Sequence, residues 1–134
     1  MKIKTLILSA AVLTLGACAM VPTDFDNALY DRLVVTDVNL QFVHDKLCDH
    51  TALAQTQEAV INIQRNLDVA QEYLKHRDGN QDLNKAIGFL NDDMKSFEKS
   101  FTQPQPPSPA YCKAKTEIAK NSLDKILDAI GGKP

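Results

Sequence analysis

Tryptophan is absent from this 134-residue chain, and phenylalanine and tyrosine together supply eight residues. An interior built from such a chain rests on Leu, Ile, Val and Ala, a mix that favours helix packed on helix. Glycine is scarce too, at five, and one of those is Gly16 in an apolar leader. Cofactors cradled by backbone need glycine-rich turns, so none is expected. There is no nucleophile elbow, no phosphate loop, no His-Glu-x-x-His and no Cys-x-x-Cys-His. Acidic residues such as Asp92-Asp93 lie spread along polar faces, and no catalytic constellation emerges. The expectation is a protein that is not an enzyme and has no small-molecule substrate. Positive charge is not in excess either: the formal net charge is −2. Phosphate-backbone binding needs a basic surface, so nucleic acid is not an expected partner.

What the chain does have begins at residue 1. Met1-Lys2-Ile3-Lys4 is a short basic start, and Thr5 to Ala17 carries no charge. That is the layout of an export signal. Even extended to Val21 the uncharged run only reaches the lower edge of a membrane span, which takes roughly 17–25 residues. Leu15-Gly16-Ala17-Cys18 then places an aliphatic residue and two small ones before a cysteine. This resembles the lipobox of bacterial lipoprotein precursors, over about the first twenty residues. The resemblance implies cleavage before Cys18 and acyl chains on that residue, several of which anchor a protein where one does not. Ala19 and Met20 follow, where Asp in this class favours the inner membrane. The expected location is therefore the outer membrane of a diderm host, lipid-anchored and facing the periplasm. Loss of Lys2 and Lys4 with the leader turns 15 basic residues into 13, against 17 acidic, a balance of −4.

The length suits one domain. We divide the chain into a signal peptide (1–17), a lipidated tether (18–23) and a helical domain (24–134). Thr23 or Asp24 is suited to cap a first helix, whose apolar face reads Leu29, Leu33, Thr36, Leu40, Val43 and Leu47. A second face comprises Leu53, Thr56, Val60, Ile63, Leu67, Ala70 and Leu74, and stops at Arg77-Asp78-Gly79-Asn80. The third runs Leu83, Ala86, Ile87, Leu90, Met94, Phe97 and Phe101. Four prolines between 104 and 109 then exclude helix, and Ser108-Pro109 starts a fourth. Its face is Cys112, Ile118, Ala119, Ser122, Leu123, Ile126 and Ile130. Four segments joined mostly by short turns predict an all-α, up-down-up-down four-helix bundle. Residues 34–43 leave an alternative open, because Val34, Thr36, Val38, Leu40 and Phe42 alternate with polar residues as in a strand. No second strand offers itself as a partner, and helix is the reading carried forward.

With Cys18 given to lipid, Cys48 and Cys112 remain, an even pair in an exported protein. One closes the first helix and the other sits a turn into the fourth, at the same end of the predicted bundle. A disulfide is expected between them. His44, Cys48, Asp49 and His50 invite a zinc reading, but the spacing lacks a paired-ligand motif and the disulfide consumes the sulfur, so no metal is expected. His76 and Met94 lie too far apart along the bundle to share a haem iron.

On the first helix Val34, Val35, Val38 and Phe42 point away from the seam. Four apolar residues within nine form a patch, which is either a docking surface or ordinary interior of a central helix or strand. The leading functional reading is a membrane-anchored envelope lipoprotein whose helical domain binds another envelope protein through this patch. Two alternatives stand beside it: a self-associating structural coiled-coil lipoprotein, and a phage- or plasmid-borne lipoprotein acting in receptor blocking or lysis.

Overall fold

A computed structural model describes residues 26–49 and 53–131 of the chain. Four helices account for almost all of it: α1 (Asn27–Phe42), α2 (Leu53–Lys75), α3 (Gln81–Ser100) and α4 (Pro109–Ile130). Consecutive helices pack on one another and α4 returns to pack on α1, whereas the diagonal pairs do not bring their backbones into close approach. The result is the antiparallel four-helix bundle, up-down-up-down, that the apolar spacing predicts. The stretch with alternating character, residues 34–42, is helix. A lone strand would leave its backbone groups unpaired, whereas a helix satisfies them internally.

The start and stop of each helix have local causes. Asp26 lies in extended backbone and caps α1, its carboxylate accepting the Leu29 N–H at 3.1 Å. This differs from the expected cap at Thr23 or Asp24, which lie outside the described residues. Gly79 takes a φ of +82° in the turn between α2 and α3, a conformation that Cβ-bearing residues resist. Ser108 accepts the Tyr111 N–H at 3.1 Å, with Pro109 in the first turn of α4.

The buried faces follow the predicted spacing with instructive departures. Leu33, Val43, Val60, Ile63, Leu67, Ile87, Phe97 and Leu123 are wholly buried. Side chains of this size each contribute about 1.5–3 kcal/mol on leaving water. Two buried threonines satisfy their hydroxyls within their own helix: Thr36 donates to the Arg32 carbonyl and Thr116 to that of Cys112, both at 2.9 Å. Two expected core positions are corrected. Ile118 is 57% exposed, and Leu53, at the open end of α2, is at the surface. On α4 the buried positions run Cys112, Thr116, Ala119, Leu123, Ile126, Leu127 and Ile130, so Thr116 and Leu127 do the work assigned to Ile118 and Ser122.

After Phe42 the first helix widens into a π-helical turn, Val43–Leu47, closed by the Cys48 N–H donating to the Val43 carbonyl at 2.9 Å. In an unbroken α-helix Cys48 would stand roughly 100° from the centre of the buried face. A wider turn carries fewer degrees per residue and swings Cys48 back inward, where only 4% of it is exposed.

Candidate functional site

Chemistry and exposed apolar surface are found at the two ends of the bundle, along α1 and in polar clusters between neighbouring helices. At the first end, the π turn and the first turn of α4 bring Cys48 and Cys112 together. Their sulfurs are bonded, with Cα atoms 5.5 Å apart and 64 residues of separation. The Cys48–Cys112 pairing expected from the sequence is present. Beside it lies an apolar cleft of about 210 Å³, walled by Leu47, Cys48, Leu53, Phe101, Pro107 and Pro109. Asp49 borders it and pairs with Lys113 of α4 at 2.9 Å. Thr56, also in its wall, donates to the Leu47 carbonyl at 3.5 Å.

At the opposite end Asp26 joins the start of α1 to the end of α2. Besides capping α1, its carboxylate accepts hydrogen bonds from the Tyr73 hydroxyl and the Arg77 guanidinium of the chain at the end of α2. Arg77 also donates to the Tyr73 hydroxyl at 2.9 Å. The Tyr73 hydrogen bond holds the Asp26 carboxyl below the usual carboxylate range, aided by the Leu29 amide and the Arg77 charge against the opposing effect of burial. Nothing in the sequence announced this knot, although Asp26, three residues before the first buried leucine, is a recognisable cap.

Along α1 the four patch residues separate. Val35, Val38 and Phe42 are 53%, 60% and 50% exposed, on one face at spacings of three and four. Val34 turns instead toward the bundle and packs against the core. The reason is angular: Val34 lies on the flank that also carries Asp37, which faces α4, whereas Val35 and Phe42 lie on the α2 side of the outer face. Phe89 of α3 is as exposed and stands alone on its helix face, whereas Tyr111 and Ile118 of α4, seven apart, and Val69 and Tyr73 of α2, four apart, make exposed pairs; only α1 carries three.

A half-buried polar cluster lies between α1 and α4. Lys120 approaches Asp37 and Asp124, each at 3.3 Å. Burial and the neighbouring Asp124 charge push the Asp37 carboxyl up, against the pull of Lys120. Burial works against the Lys120 ammonium, but the two carboxylates outweigh it and hold that group above its ordinary value. The opposite outcomes for one contact have a simple cause: Lys120 faces two anions, and Asp37 faces one cation and one anion. Between α2 and α3, Asn91 is 1% exposed and donates to Asp68 at 2.6 Å and Gln71 at 3.0 Å. Its own oxygen is buried without a partner.

Among the described residues no cluster of His, Cys, Asp or Glu is arranged to hold a metal ion. His44 instead sits 2.7 Å from Asp45, and His76 lies 3.4 Å from Glu72. Among the same residues, no helix is long and apolar enough to cross a membrane. Cys18 and the leader lie outside the described residues. No protein-family model, curated protein or solved structure matches the chain.

Proposed function

We propose that this chain is a bacterial lipoprotein, held on the envelope membrane by acyl chains on Cys18, whose bundle docks another envelope protein through the outer face of α1. The observation that carries the docking reading is the row Val35, Val38 and Phe42, each half or more exposed on a helix whose opposite face is fully buried. Water-facing positions of a bundle helix are normally polar, and single exposed apolar residues are common, but three in one row are costly to leave wet. The anchor reading stands on Leu15-Gly16-Ala17-Cys18 and its place after a basic, then apolar, leader. The protein is non-catalytic in this reading, an interaction module facing the periplasm from the outer membrane.

Two sets of variants test it in intact cells. Cys18→Ser should leave an unprocessed or soluble product without acyl chains; a variant still found with membranes at mature mass would refute the anchor. Val38→Asp with Phe42→Asp should abolish the cross-linked adduct that the wild-type chain forms, with helicity unchanged and stability altered by no more than about 1 kcal/mol. A destabilisation of several kcal/mol, or an adduct that survives, would show that this face is not where a partner docks. The mass of the wild-type adduct separates a foreign partner from a second copy.

A further inference from the structure

The exposed residues of α1 fall on one stripe, and the stripe has a symmetry of its own. At about 100° per residue Asp31, Val35, Val38 and Phe42 lie within roughly 60° of one another, and Lys46 is exposed in the π turn that follows. Val38 sits at the middle. Val35 and Phe42 flank it at about 5–6 Å along the helix, and Asp31 and Lys46 at about 10–12 Å. The order is acid, three apolar residues, base. Turned end for end, that order is its own complement.

Two further charges border the stripe, and both are engaged within their own bundle. The Arg32 guanidinium donates to Asn66 of α2 at 3.4 Å. The Asp45 carboxylate accepts from the Gln41 amide and meets the His44 ring, each at 2.7 Å. Asp31 and Lys46 have no hydrogen bond or ion pair with any described residue, so theirs are the charges left to a partner. Shape follows the same order. Ala28, Asp31, Arg32, Val35 and Asn66 line an open hollow of about 270 Å³ at one end of the row, and the half-exposed Phe42 ring stands at the other. A space of about 150 Å³ already takes a benzene ring.

We infer that the partner docked by α1 is a second copy of this chain, laid antiparallel about a two-fold axis near Val38. The axis sets Val38 beside its own copy and brings each Phe42 ring to the other copy's Val35 and its hollow. It also brings each Lys46 to the other copy's Asp31. A parallel pair would instead set Asp31 on Asp31 and Lys46 on Lys46, and like charges in contact oppose association. A patch that complements itself in this way is what a two-fold dimer requires. The inference rests on α1 being the docking face, as proposed above, and the pairing uses described residues alone. In the anchored reading, a two-fold along the membrane normal lets both tethers reach one leaflet with the bundles lying flat, and sharing a membrane raises the effective concentration of a small interface.

Sedimentation of the purified full chain in density-matched detergent tests the pairing through charge reversal. Wild type should show a reversible monomer–dimer equilibrium. Asp31→Lys and Lys46→Glu should each weaken it about tenfold, because each creates two like-charge contacts across the axis. Combining the two substitutions in one chain should restore most of the lost affinity, with helicity the same in all four proteins. A wild-type chain that stays monomeric up to about 1 mM would overturn the inference. So would single reversals without effect, or a combined variant no better than either single one. Such a failure is distinct from failure of the α1 docking reading: that reading stands if the cellular adduct has a foreign partner's mass and is lost with Val38→Asp and Phe42→Asp, and it falls if the adduct survives them.

Discussion

Replacing Cys48 and Cys112 together by Ala removes the one covalent link between the first and last helices, and the size of the effect follows from chain length. The bridge spans 64 residues of sequence. Closing a loop of that size in the unfolded chain removes entropy worth about 4 kcal/mol at 25 °C, before any strain. Ala is the right substitute because both cysteines are 4% exposed, and a buried Ser hydroxyl without a partner would add its own penalty of roughly 1–3 kcal/mol. The core otherwise survives, since Leu33, Ile63, Phe97 and Leu123 do not depend on the sulfur atoms. The double variant should therefore remain helical at 25 °C and lose about 4 kcal/mol in urea unfolding followed by circular dichroism. For domains of this size total stability is about 5–15 kcal/mol, so the loss is a large share. The urea slope should rise, because an uncrosslinked unfolded chain exposes more surface. A loss below about 1 kcal/mol with an unchanged slope would refute the reasoning. So would two thiols alkylated in the untreated protein.

Three further perturbations reach other parts of the bundle. Asp26→Ala should cost about 1–2 kcal/mol at neutral pH, since it removes a helix cap and the anion bound by Tyr73 and Arg77. The Asp26 carboxyl is held below its ordinary 3.8, so its contribution is complete above that value and fades as pH falls through the lowered one. Wild type and variant should converge in acid, and a gap that stays constant down to unfolding would contradict this. Asp37 has the opposite sign: raised above 3.8 by burial and by Asp124, its ionisation costs stability that appears as pH rises through the raised value. Asp37→Asn should flatten that part of the pH–stability profile, and a profile unchanged by the substitution would show that the group does not titrate anomalously. Gly79→Ala forces a Cβ into a φ of +82° and should destabilise by about 1–2 kcal/mol in the same urea assay, although no atom lies within 4 Å of the added carbon. No loss would mean that the turn rearranges freely.

How far the fold was legible depended on whether the information was periodic. The seam of the first helix, from Leu29 to Leu47, was readable because an apolar residue every three or four positions admits few structures other than a helix with one face covered. The same periodicity, with Gly79 and the prolines as stops, ordered four helices and placed Cys48 and Cys112 at one end. Their pairing then followed from topology. What periodicity could not reach was angular detail finer than a helix face. Val34 and Val35 stand about 140° and 120° from the centre of the α1 seam on opposite flanks, and only the packing of the neighbouring helices decides that one packs inward and the other faces out. Ile118 is a different case: it stands about 120° from the seam of α4, so the spacing itself puts it in water, while Leu127, about 60° away, is covered. The π turn, the Asp26–Tyr73–Arg77 knot and the cleft by the disulfide were invisible in the sequence because each joins residues from different helices or a break in regular geometry. Local spacing determines which residues seek cover; the crossing of neighbouring helices determines which of them find it, and so which apolar surface stays exposed.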